Sequence, residues 1–284
     1  MSRLPTLFVS HGAPTFALDP GMAGAALKKV GASLPPFRAI LMISAHWETD
    51  APAVSSAVQP ETIHDFYGFP APLYRLRYPA PGAPALADRV AALLTGVGLP
   101  VHRDPVRGLD HGAWVPLMHM VPAADLPVAQ LSFQLARGPA HHFAVGQALA
   151  PLTDEGVLII GSGGITHNLS EFRMLPENAG EAPYVREFRE WMAERTLADD
   201  MESLVAYRTQ APHAARAHPT EDHLLPFFTA FGAAHGAGHH LRAYTGVTFG
   251  VIGMDSYVFA ADRLVTSAST AVSDASPGRP DGQP

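Results

Sequence analysis

Four short runs of the chain are almost uninterrupted in apolar character: TLFVS at 6–10, AILMISA at 39–45, LPVAQLSF at 126–133 and VLIIGSG at 157–163. Each is too short for a core helix, and a strand with one wet face would alternate instead. Continuous apolarity suits strands covered on both faces, the condition of a parallel sheet. Helical patterns lie between and after these runs. They fall at 85–98 (closed by Gly98 and followed by Pro100), 141–152, 184–198 and 222–234, the last kinked or started at Pro226. The alternation predicts an α/β fold: a single domain with a central, mostly parallel (mixed) β-sheet flanked by helices on both faces, and a site at the C-terminal ends of the strands. Residues 239–260 alternate and carry glycines without a helix of their own, which predicts one or two closing strands, as an antiparallel edge hairpin. No repeat or linker divides the chain. The expected domain is 1–265, with 266–284, rich in Ser, Pro and Gly, as a disordered tail.

Composition narrows the chemistry. With 284 residues, 47% of them apolar, the chain can bury a large core. A formal charge of −7, a pI near 6.1 and the lack of a Lys/Arg cluster argue against a nucleic-acid partner. There are no cysteines, which excludes disulfides, thiolate chemistry and cysteine-held zinc or iron–sulfur centres. Any metal must therefore be held by His, Asp or Glu. No apolar run reaches the roughly 18 residues of a membrane span, and the N-terminus lacks a full signal-peptide core. The expected location is cytoplasmic, away from membranes.

The informative residues are histidines at strand exits. His11 follows TLFVS, His46 follows ILMISA and His167 follows VLIIGSGGIT. In open α/β sheets, ligands bind beyond the carboxyl ends of strands, so three imidazoles are delivered to one edge. The loops add Asp110 and His111 in GLDHGAW, read as a Gly-flanked turn, and His218, Glu221, Asp222 and His223 in AHPTEDHLLP. Thr220 is placed to N-cap a helix carrying His223 in its first turn, where the helix dipole would keep the imidazole neutral for a metal. Imidazole and carboxylate donors suit zinc or non-haem iron. Other histidines carry less weight: His141 and His142 read as an exposed helix start, and His102, His119 and His213 as unpartnered. His235, His239 and His240 could form an adventitious surface metal site. HDFYGFP at 64–70 is either a core-facing loop or one wall of a flat aromatic pocket. GSGGITHN lacks the Lys of a P-loop, so its glycines are read as bringing His167 and Asn168 close to the crevice.

SHGAPT, SAHWE, HDFYGFP, GLDHGAW, GSGGITHNL and HPTEDHLLP, in this order, resemble the class III extradiol ring-cleavage dioxygenases. The subgroup is the DOPA 4,5-dioxygenase type, related to the catalytic subunit of protocatechuate 4,5-dioxygenase. The resemblance spans roughly 5–260. It implies a metal-dependent enzyme that opens a catechol ring next to the diol, using both atoms of O₂. It implies His11, His46 and His223 as ligands of one divalent metal, Fe(II) for ring cleavage or Zn(II) as bound. It also implies His167 as the acid–base residue and His111 as a contact to substrate or oxygen. The wider superfamily holds iron with two His and a carboxylate, so the third position, His223 here, is a departure beside Asp222 and Glu221. Phe66, Tyr67 and Trp47 could bracket the ring, and Arg75, Arg77 or Arg107 could meet a substrate carboxylate. Two other readings stay open: a zinc hydrolase with Glu48 or Glu221 as base, and a non-catalytic binding protein on the same fold.

Overall fold

A computed structural model describes residues 3–172, 176 and 179–260. The expected tail, 266–284, lies outside the described residues. The strands are β1 (Thr6–Ser10), β2 (Ala39–Glu48), β3 (Ala53–Ser55), β4 (His102–Asp104), β5 (Val128–Phe133), β6 (Val157–Gly163), β7 (Leu241–Tyr244), β8 (Val247–Thr248), β9 (Ile252–Gly253) and β10 (Ser256–Phe259). Eight of them form one sheet in the order β4-β3-β5-β2-β6-β1-β10-β7. The four apolar runs are its centre, with β5, β2, β6 and β1 mutually parallel. Antiparallel strands close both sides: β3 against β5, and β10 against β1 and β7.

Both faces are covered, which is why the central runs are apolar throughout. Leu7, Ile40, Met42, Leu158 and Ile160 belong to one core cluster. Leu41, Ile43, Ala129, Leu131 and Ile159 belong to the other. The expected helices occur at Pro84–Gly96, Gly138–Leu149, Pro183–Leu197 and Leu225–Ala234, with Pro226 in the first turn of the last. Pro226 therefore starts that helix and does not kink it. Among the described residues, no helix is long and apolar enough to cross a membrane.

The segment 239–260 is more elaborate than an edge hairpin. β10 enters the sheet beside β1, while β8 and β9 pair separately as a two-stranded ribbon. Asp255, fully buried just before β10, anchors this region. It accepts from Arg189 Nε (3.0 Å) and Nη2 (2.5 Å) and from Arg242 Nη2 (2.9 Å). Its carbonyl also takes the Ser10 hydroxyl at 2.8 Å, which ties the exit of β1 to the same point.

His142, expected on an exposed helix start, is buried. Its Nε2 accepts the Gln134 N–H at 3.1 Å, and its Nδ1–H donates to the Gly138 carbonyl at 2.7 Å. Burial pushes its pKa down to about 4, with the Gly138 bond opposing and His141 adding to the drop. An unfolded histidine titrates near 6.5. Below that value the unfolded chain binds a proton that the folded chain refuses. The stabilising contribution is therefore intact above pH 6.5 and is lost as pH falls toward 4. By pH 5 the loss amounts to about 2 kcal/mol. Urea melts at pH 7 and pH 5 check this. His142→Asn is expected to lose less stability on acidification than the wild type by about that amount, and an equal loss contradicts it.

Candidate metal centre and active site

Sheet register places the first two histidines. Val9 and Ser44 both pair with Ser162, so the three stand in one row across β1, β6 and β2. His11 and His46 lie two residues beyond that row, and the pleat returns them to the face of Ser162. Ser162 Oγ donates to the Gly112 carbonyl at 2.5 Å and accepts from His11 Nδ1–H at 2.9 Å. The His11 Nε2 lone pair is thereby directed away from the sheet.

GLDHGAW forms a helix start where the sequence suggested a turn. Asp110 N-caps the helix His111–Met120 by accepting the Ala113 N–H. A Cβ on Gly112 would lie 2.3 Å from Ser44 Oγ and 3.0 Å from His46 Cδ2, so only glycine lets this turn rest on β2. The close approach sets the His111 ring 4.0 Å from that of His46, centroid to centroid. Below them the buried Asp110 carboxylate accepts from Ser44 Oγ (2.6 Å), Gln130 Nε2 (2.8 Å) and Arg107 Nη2 (2.7 Å).

The opposite face contributes His223. Gly163 points that way, and a Cβ there would lie 2.0 Å from the His223 carbonyl, which instead accepts the Gly164 N–H at 2.9 Å. The glycines after β6 thus admit the His223 loop, a role the sequence did not separate from presenting His167. Thr220 does not cap a helix. Its hydroxyl donates to Asp222 at 2.5 Å, and the helix begins two residues after His223. Helix-dipole control of His223 is therefore replaced by burial and by Asp222, whose Oδ2 accepts His223 Nδ1–H at 2.5 Å.

The candidate donor atoms of His11, His46 and His223 lie within 4.8 Å of one another. Nε2 of His46 and Nε2 of His11 face each other at 3.0 Å. With the Nδ1–H of His11 committed to Ser162, its Nε2 is an acceptor that His46 Nε2–H can satisfy in the absence of an ion and that a metal ion could take up in its place. Two nitrogens each about 2.1 Å from one ion stand about 3.4 Å apart at a tetrahedral angle, so the cluster fits with a shift of a few tenths of an ångström. Burial, reinforced by the neighbouring imidazoles, holds the His11 pKa well below its usual value. His46 is brought down to about 4 by burial and His111, against the pull of Asp110 and Asp65. Burial and His167 lower His223 too, despite Asp222. All three are neutral at pH 7, the form that ligates. The donor set fits a borderline divalent ion such as zinc or non-haem iron.

Two more histidines complete the cluster. His167 stacks on His223 with ring centroids 3.4 Å apart and planes 11° from parallel. Its backbone N–H is tied to the Ala217 carbonyl, and burial lowers its pKa against the opposing charge of Asp222. His218, just behind, is fully buried and donates through Nε2 to the Ile165 carbonyl at 3.0 Å, which fixes the turn that carries His167. His111 gives both its backbone N–H and its Nδ1–H to Asp65, each at 2.9 Å. That turns His111 Nε2 away from Asp65. Burial acts to raise the Asp65 carboxyl, but the bonds from His111 prevail and bring it down to about 2. Asp65 lies within HDFYGFP, where the sequence drew attention to the aromatics. An Asp followed by an aromatic is too common to flag, and its partner is 46 residues away.

A cavity of about 560 Å³ opens beside these groups, lined by His11, His46, His111, His167 and His223 and walled by Phe66 and other apolar side chains. Phe66 stands edge-on to His111 at 5.7 Å and, with Phe69, lines the cavity while also belonging to the core cluster, so HDFYGFP is both core-facing and a pocket wall. The other suggested brackets fail: Tyr67 is 91% exposed, and Trp47 is buried beneath the Arg107 guanidinium. None of Arg75, Arg77 or Arg107 lines the cavity; Arg107 is spent on Asp110, and Arg77 on the Tyr74 and Leu76 carbonyls. Glu48 is exposed, and Glu221 accepts from the Tyr207 hydroxyl at 2.8 Å, so neither is placed as a base for a hydrolase. His119 donates to the Phe16 carbonyl and His213 pairs with Glu187, so neither is unpartnered. His235 and His240 converge on Asp199.

If the three facing imidazoles are the ligands, His11→Ala, His46→Ala or His223→Ala drops bound metal to below about a tenth of an ion per chain, whereas Asp65→Asn retains most of it. Elemental analysis of purified protein decides. Full metal in any of the three alanine variants removes that residue from the ligand set.

Comparison with known proteins agrees with this geometry. The family described as "Catalytic LigB subunit of aromatic ring-opening dioxygenase" matches residues 8–259. A 4,5-DOPA dioxygenase extradiol of Beta vulgaris is 47% identical over 235 residues, covering 81% of this chain and 86% of that protein. A protein of the same description from Escherichia coli K12 is 36% identical over 256 residues, covering 89% and 93%. The crystal structure of an uncharacterised protein from E. coli K12 superposes with a TM-score of 0.74 at 31% identity, covering 90% of this chain and all of that one. The sheet, the histidine cluster at its C-terminal edge and these matches lead to one conclusion: the chain belongs to the LigB family of class III extradiol ring-cleaving dioxygenases.

Proposed function

We propose that the chain is a cytoplasmic, Fe(II)-dependent enzyme that opens the ring of a side-chain-bearing catechol, DOPA-like in kind, next to its diol, with both atoms of O₂ entering the product semialdehyde. The observation that carries this is the convergence of three neutral imidazoles, each from a different element, at the inner end of a cavity large enough for a substituted catechol. His11, His46 and His223 would hold the metal. Three protein donors on one side leave positions open for the diol and O₂. Iron, when bound, supplies the electronic contact that lets a singlet catechol react with triplet oxygen, and zinc has no accessible redox step for it.

The residues then divide the work. His167 is neutral, half-buried and packed flat on His223, so it can accept a proton from a catechol hydroxyl and later return it. Asp222 stabilises the imidazolium that forms. His111, with Nδ1–H held by Asp65, turns Nε2 toward the cavity, where its neutral form would accept a hydrogen bond from the diol. Phe66 keeps one side of the ring dry. Atoms balance without an outside reductant, since the two ring carbons that part take up the two oxygen atoms.

Anaerobic loading with Fe(II), then a catechol and air, is expected to give the yellow absorbance of a ring-opened semialdehyde, and Zn(II) loading none. His167→Ala should lower kcat by about 100-fold or more while metal content stays. No colour with any catechol at full iron occupancy contradicts the proposal, and loss of metal together with activity in His167→Ala would make that residue a ligand.

A further inference from the structure

We infer that His218 is a positioning residue for ring cleavage, the pin of a clasp that holds His167 flat against His223; this deepens the extradiol reading above and rests on it. Two stretches of chain run side by side here, 164–168 after β6 and 216–223 before the helix Leu225–Ala234. Four hydrogen bonds join them in antiparallel order. The Gly164 N–H donates to the His223 carbonyl (2.9 Å) and His218 Nε2–H to the Ile165 carbonyl (3.0 Å). The His167 N–H then donates to the Ala217 carbonyl (2.9 Å), and Asn168 Nδ2–H to the Arg216 carbonyl (2.8 Å). His167 and His223, whose rings stack with centroids 3.4 Å apart, belong to opposite sides of this clasp.

The clasp has one irregular step. From Gly164 to Ile165 is a single residue on one side, while the partners of those two, His223 and His218, are separated by residues 219–222 on the other. The backbone ladder is interrupted there, and the His218 imidazole supplies the missing rung. Ile165 is thereby fixed from both directions, because its N–H donates to Ser10 Oγ at 3.2 Å, next to His11. Thr166 is fixed as well, its Oγ1 donating to the Val251 carbonyl (2.8 Å) and accepting the Gly253 N–H (2.6 Å). The chain therefore reaches His167 with its preceding two residues held, and His218 is the only imidazole among those bonds.

A structural filler would not need to be histidine. His218 is fully buried, with the rings of Phe188 and Tyr207 at 5.6 and 6.5 Å, centroid to centroid. An apolar residue would pack there without the cost of desolvating an imidazole. Among the described residues Nδ1 has no hydrogen-bond partner, so the polar contribution of the ring is its one donation from Nε2. Burial pushes its pKa down to about 4, against the pull of the Ile165 bond, so at pH 7 the ring is neutral. It does not line the cavity. What it can do for the reaction is hold Ile165, and through it the ring of His167, in place.

The test compares the full chain as wild type, His218→Leu, which removes the donor at similar volume, and His218→Gln, whose Nε2–H can reach the same carbonyl. Loaded with Fe(II) and given DOPA, His218→Leu should lose about 30-fold in kcat, with KM within about threefold and iron content unchanged. His218→Gln should stay within about threefold of wild type. NMR of the Zn(II)-loaded proteins reads the geometry without turnover. The His167 ring protons, shifted upfield by the His223 ring they lie against, should move downfield in His218→Leu and hold their place in His218→Gln. Ring protons unmoved in His218→Leu, equal impairment of both variants, or loss of iron in step with kcat overturns the inference. Should His218→Leu not fold, Asn168→Ala breaks the neighbouring rung and is held to the same readings, at about tenfold in kcat. If wild type cleaves no catechol, the extradiol reading fails by itself, and the ring-proton shifts alone decide whether His218 positions His167.

Discussion

The structure turns on keeping several imidazoles neutral inside one desolvated space. An imidazolium buried beside others would pay for both lost hydration and mutual repulsion. Both effects push His11, His46 and His223 toward the neutral form. Neutrality alone would leave each ring free to present either nitrogen. The partners decide: Ser162 holds Nδ1–H of His11, Asp222 that of His223 and Asp65 that of His111. Every ring so held offers Nε2 inward, the arrangement by which outer groups fix the tautomer of metal-binding histidines.

That requirement explains where the layers come closest. Helix His111–Met120 reaches the sheet on the Ser162 face through Gly112, and the His223 loop reaches it on the other face through Gly163. A methyl group at either glycine would collide with Ser44 or with the His223 backbone. The parallel sheet supplies a rigid edge, the two covering layers each add a histidine, and the buried Asp255–Arg189 pair fixes the ribbon that forms the outer wall.

Much of this was legible in the chain. Unbroken apolarity of TLFVS, AILMISA and VLIIGSG gave the central parallel strands, because burial on both faces removes the alternation. His11 and His46 could then be placed by their positions at strand ends. His223 is legible by motif, but Thr220 and Pro226 both carry helix-start signals, and the helix begins only at Leu225. The short strands β3 and β4, three residues each, carry too few side chains to show a period. His142 looked exposed because its acceptor and donor partners, Gly138 and Gln134, act through the backbone. Asp65 and Ser162 could not be found at all, since each takes its meaning from a residue distant in sequence.

The central claim is that three imidazoles, and no carboxylate, hold the metal. X-ray absorption at the iron edge of the Fe(II)-loaded protein tests it most directly. The account predicts scattering from three imidazole rings with Fe–N distances of about 2.1 Å. A shell of two imidazoles and a carboxylate, with Asp222 or Asp65 taking the place of one ring, would contradict it.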